Sequence, residues 1–168
     1  MDIKKQLKEY LDSYLNFKPI RKAKMMGESA SVGKMMDFEC ACCESSINNF
    51  INNNKDEDTF QTKLFKLIDD RNLKDSDVYN KANIDRRLFS KIRSDKDYHP
   101  SKETIILFGL ALELNEFEIE DLLKSASYSL PMNTTYDLII RFCFKEHIYN
   151  IQKVNEFLYD YNCKLLSE

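Results

Sequence analysis

Residues 71–93 read RNLKDSDVYNKANIDRRLFSKIR. Two short helices are predicted inside this run. The first is DSDVYNKA from Asp75. The second is DRRLFSKIRS, capped by Asp85, whose carboxylate can accept from the free amides of a helix's first turn. At helical spacing Leu88, Phe89 and Ile92 face inward, while Arg86, Arg87, Ser90 and Lys91 face outward, followed by Arg93 and Lys96. Asn83 lies in the connecting turn, and asparagine tolerates a left-handed backbone there.

The flanks extend the helical pattern. Upstream, TFQTKLFKLIDDRN puts Phe60, Leu64, Phe65, Leu67 and Ile68 on one helical face. Downstream, Pro100 and Ser101 open KETIILFGLALEL, a nearly all-apolar helix that belongs at the centre of a core. NEFEIEDLLKSA then carries acids in its first turn, where the helix dipole favours them. Pro131 breaks the chain, and two amphipathic helices are predicted near 133–147 and 150–161. Seven helices therefore follow Asp58 with short connections, the pattern of a compact all-α domain. Only 3 glycines and 3 prolines in 168 residues argue the same way, because strand-rich folds need frequent turn residues.

The N-terminal part is organised differently. Ile3, Leu7, Tyr10, Tyr14 and Phe17 form one apolar stripe, with Leu11 and Leu15 beside it, on a helix over 1–17 that Pro19 ends. Two uses fit that stripe: core docked on the main domain, or a seam for a homodimer or protein partner through Ile3, Leu7, Leu11 and Tyr14. Residues 18–57 hold two glycines, two K-M-M triplets and INNFINNNKDED, and read as a partly flexible linker with one short helix near 36–51.

Charge narrows the function. Lys plus Arg is 25 and Asp plus Glu is 28, so a net charge of −3 excludes a protein basic throughout, and a nucleic-acid partner needs a local patch. Between 81 and 102, seven Lys/Arg stand against three Asp, a balance of +4, whereas 110–168 holds five basic and ten acidic residues, a balance of −5. A basic face opposite an acidic remainder is the footprint of a phosphate-binding module. Arg86 and Arg87 fit equally well as solvated charges on an exposed helix.

No apolar run approaches the ~18 residues of a membrane span. The opening MDIKKQLKEYLDSYL has no signal-peptide core, so the expected location is cytoplasmic, with no membrane partner. Cys40, Cys42, Cys43, Cys143 and Cys163 read as reduced thiols; the CACC cluster lacks the two-residue gap of a zinc knuckle, and the only histidines are His99 and His147. His147 suits a position near a helix C-terminus. Tyr128, Tyr136, Tyr149, Tyr159 and Tyr161, on periodic helices, read as core edges rather than a stacking platform. No Gly-rich phosphate loop, HExxH or GxSxG occurs, so no catalytic residue, metal or cofactor is expected, nor enzymatic activity.

Residues 71–93 resemble the helix-turn-helix core of the Cro and lambda-repressor (Xre-like) family. Arg71, Leu73, Val78, Lys81, Ile84, Phe89, Ser90, Lys91 and Ile92 fall, without a gap, on matching or similar types. Pro100-Ser101, Glu103-Thr104, Ala111-Leu112 and Leu114 continue the match, so the resemblance spans about 58–127, leaving 128–168 as a C-terminal helical extension. Four positions depart from the family: Asp75 replaces a Gln, Tyr79 a small Ala, Asn83 a Gly and Arg93 a Glu. Residues 58–168 also resemble the helical segment found after macro domains in some bacterial proteins; without a macro domain, no ADP-ribose chemistry is implied. The Xre-like resemblance implies a regulator that binds double-stranded DNA through Arg86, Arg87, Ser90, Lys91, Arg93 and Lys96. The alternative is a non-catalytic adaptor that uses a helix-turn-helix scaffold to bind protein, in bacterial defence or phage biology.

Overall fold

The structure, a computed structural model, describes residues 3–15, 49, 59–95 and 97–166. Eight helices and no strand occur among them: α1 (Ile3–Leu15), α2 (Phe60–Asp70), α3 (Asp75–Lys81), α4 (Arg86–Ser94), α5 (Lys102–Ala111), α6 (Glu116–Ser125), α7 (Thr135–Lys145) and α8 (Ile151–Asp160). The predicted linker 18–57 with its short helix, Cys40, Cys42 and Cys43, and Lys96 lie outside the described residues, apart from Asn49. Met1–Phe17 and Asp58–Glu168 form one unit.

Side chains start most of these helices. Thr59, Asp85, Ser101, Asn115, Thr134 and Asn150 each accept from an amide of the first turn, and Asn115 with Glu118 closes a reciprocal capping box. Six helices then stop in one way. Asn72, Asn83, Glu113, Ser127, His147 and Asn162 take left-handed backbone, with φ between 51° and 59°. The amide after each reaches back to the carbonyl five residues before it, as from Ile84 to Tyr79 (2.9 Å) and from Ile148 to Cys143 (2.8 Å). This is the Schellman ending, which satisfies carbonyls the helix leaves free. The residue after the reversal is apolar or aromatic at Leu73, Ile84, Leu114, Tyr128 and Ile148, and all of these but the exposed Leu73 tuck toward the core. Short connections therefore need no glycine.

The apolar helix α5 lies at the centre, with every residue from Ile105 to Ala111 buried. It packs on α3 and α6, α6 also meets α2 and α7, and α7 carries α8. Gly109 sets the closest approach: a Cβ there would lie 2.5 Å from Ile119 Cδ1 and 3.0 Å from the Phe144 ring.

Helix α1 packs on α7. Leu7 and Leu11 are 1% and 2% exposed, and the Tyr10 ring lies 5.3 Å from that of Phe142. These two leucines are therefore core, not an association seam, because α7 of the same chain already covers them. Ile3 is half-buried, and Tyr14 and Leu15 remain exposed. Helix α1 is described from Ile3 to Leu15, and Phe17 of the expected stripe lies outside the described residues. Tyr128, Tyr136, Tyr149 and Tyr161 pack at core edges as expected, but Tyr159 is 75% exposed and is not a core residue.

Candidate nucleic-acid interface

Helices α3 and α4 are joined by Ala82–Asp85, with Asn83 left-handed at φ 53°. Two buried side chains fix the rotation of α4. Ile92 is fully buried, and Phe89 meets Phe108 and Phe65 edge-on, each at 5.9 Å, and Tyr79 at 5.6 Å. Tyr79, larger than the alanine of the resembling family, thus packs on Phe89 instead of forcing the helices apart. Leu88 is half-buried. With that face turned in, Arg86, Arg87, Ser90, Lys91 and Arg93 are all exposed. The Asp85 carboxylate accepts from the Arg87 backbone amide at 2.6 Å, which orders the first turn beneath both arginines.

Ion pairing changes what the charge balance means. Of the seven cations between 81 and 102, Lys81 pairs with Glu113 (2.5 Å), Arg93 with Asp75 (2.5 Å) and Lys102 with Asp137 (2.5 Å). Arg86, Arg87 and Lys91 have no acid partner among the described residues. Lys91 rests its ammonium 4.6 Å from the Tyr98 ring. Within 81–102 the cations left without an acid partner among the described residues are therefore Arg86 and Arg87 on the first turn of α4 and Lys91 in its last turn.

The acids of α6 are cross-braces. Glu118 pairs with Arg71 (2.9 Å) and Asp121 with Lys63 (2.7 Å), both from the segment around α2. Glu116 (2.7 Å) and Glu120 both bind Arg141 of α7, which also donates to the Leu130 carbonyl at 3.0 Å. Asp137 is buried and accepts from Lys102 and from the Thr134 hydroxyl (2.6 Å).

The Asp75–Arg93 contact was missed from sequence. Arg93 offers Nη1 to Oδ2 at 2.5 Å and Nη2 to Oδ1 at 3.2 Å, a two-point pair, with its guanidinium 4.5 Å from the Phe65 ring centre. A signal existed: two departures from the resembling family carry opposite charges. Asp75, Ser76, Tyr79, Arg86, Phe89, Ser90 and Arg93 line an open groove between α3 and α4.

The remaining chemistry-bearing groups have structural partners. Burial pushes the Cys143 thiol up to about 12, which keeps it protonated and unreactive, and burial also raises that of Cys163. His99 Nε2 lies 2.8 Å from the Ala126 carbonyl and His147 Nδ1 2.8 Å from the Tyr149 hydroxyl. His147 stands just past the α7 terminus and supplies its left-handed reversal. No group of three or more His, Cys, Asp or Glu able to hold a metal occurs among the described residues, and no helix among them is long and apolar enough to cross a membrane. No protein-family model, curated protein or solved structure matches the chain.

Proposed function

We propose that this chain is a sequence-specific DNA-binding regulator whose Xre-like helix-turn-helix domain, about 58–127, presents α4 to a major groove. One observation carries the reading: Arg86 and Arg87 stand exposed and without acid partners among the described residues, on the first turn of a helix held by Phe89 and Ile92. Arginine can pair two-pronged with guanine, whereas a lysine on phosphate adds affinity without sequence information. Arg86 and Arg87 are assigned to bases, Lys91 and Lys96 to phosphates, and Ser90 to either.

Selection from a randomised duplex pool tests it. A recovered site should lose roughly 5- to 150-fold of its preference over random duplex on Arg86→Ala or Arg87→Ala, the range of one lost guanine pair. Lys91→Ala should weaken all duplexes alike and make the salt dependence shallower by about one unit. No duplex binding at low salt would refute the reading.

Two observations favour the adaptor as a second reading. Asp75 neutralises Arg93 within the groove, and Phe117 is 82% exposed on α6. An adaptor would show no duplex binding and would lose a protein partner on Phe117→Ser, with its fold unchanged.

A further inference from the structure

We infer that Asp75 is an internal competitor for Arg93, holding that cation away from a DNA phosphate. The inference rests on the DNA-binding reading and concerns how strongly that site engages the polyanion.

The geometry suits a replaceable partner. Asp75 presents two carboxylate oxygens to two guanidinium nitrogens, at 2.5 and 3.2 Å, an arrangement that a phosphodiester's two free oxygens can reproduce. The Arg93 side chain is 51% exposed and that of Asp75 35%, so the pair is partly solvated and weak, as surface pairs usually are. Phe65 supports the guanidinium from behind, 4.5 Å from its ring centre, so Arg93 has a seat that does not depend on Asp75. The exchange therefore requires no refolding of α4. Ser76 and Ser90 line the same groove, so an incoming phosphate meets two hydroxyls besides Arg93.

The carboxylate acts in two ways while it remains. It occupies Arg93, and it repels the phosphate that would take its place. In the wild-type chain Arg93 should therefore contribute little to counterion release, because it already has an anion. Asp75→Asn removes the charge and keeps the size.

The experiment measures duplex affinity against salt concentration for wild type, Asp75→Asn, Arg93→Gln and the double variant, with far-UV circular dichroism to confirm that each is helical. Asp75→Asn should bind roughly three- to tenfold more tightly near 0.1 M salt, with a log–log slope steeper by about one unit, as one further phosphate contact requires. Arg93→Gln alone should leave the slope near the wild-type value. In the Arg93→Gln background, Asp75→Asn should lose most of its effect. An undiminished effect there means that Asp75 merely repels phosphate, and overturns the competition. Wild-type binding unchanged by Asp75→Asn overturns this inference and leaves the DNA reading standing. No duplex binding by wild type or Asp75→Asn overturns both.

Discussion

Helices α4 and α6 are both short, both heavily charged and both exposed along one side, yet their charges do opposite things. On α6, Glu116, Glu118, Glu120 and Asp121 each meet a cation from α2, the turn after it or α7, so the acids tie three helices together. On α4, Arg86, Arg87 and Lys91 meet no acid among the described residues, and only Arg93 is engaged. A balance of charges along the chain gives the sign of a surface. Pairing in three dimensions decides which charges remain for a partner. The acidic C-terminal half is in large part braced internally, and this weakens it as an argument for an acidic docking face.

The difference predicts that removing paired charges on the α6–α7 side changes stability and that removing the unpaired cations of α4 does not. The largest effect is expected beneath that side, where α1 covers α7. Leu11→Ala should cost about 2–5 kcal/mol, the usual range for emptying a packed leucine site, with one cooperative transition in denaturant. Loss of self-association without loss of stability would return α1 to the role of a seam. Next, Arg141→Ala leaves Glu116 and Glu120 together without their cation and frees the Leu130 carbonyl. It should cost about 2 kcal/mol, partly discounted because both glutamates reach solvent, and chemical denaturation would show it. Ser127→Gly should stabilise by about 1 kcal/mol, because serine there holds a left-handed backbone that glycine adopts without strain, and thermal melting reads the gain. Arg86→Ala should change stability by less than about 0.5 kcal/mol. A larger cost would mean that α4's arginines are structural and would erase the contrast.

Much of this architecture is legible in the sequence because it is local. The order of seven helices after Asp58, the caps at Asp85 and Ser101, the reversal at Asn83 and the central place of 102–111 follow from spacing, side-chain capping and backbone tolerance. Reversals at Glu113, Ser127 and His147 were hidden: glutamate and serine do not favour left-handed backbone, and the sequence places His147 only near a helix C-terminus. The apolar or aromatic residues that follow them, Leu114, Tyr128 and Ile148, are the signal that marks them. The outward face of α4 was readable from Phe89 and Ile92, but the fate of its charges was not. Asp75 and Arg93 are 18 positions apart, and Lys81 and Glu113 are 32 apart. Only the packing of α3 on α4 and on α5 brings such groups together. Tyr159 shows the reverse error, since a stripe drawn one residue too wide takes an exposed ring for a buried one.

Binding of wild type and Arg86→Ala to a selected duplex and to a scrambled one, at two salt concentrations, tests the central claim most directly. Wild type should prefer the selected duplex at both concentrations. Arg86→Ala should keep the salt-sensitive affinity for the scrambled duplex and lose most of the preference. Equal preference by the two proteins, or no selected duplex at all from the wild-type chain, would contradict the assignment of α4 as the element that reads DNA.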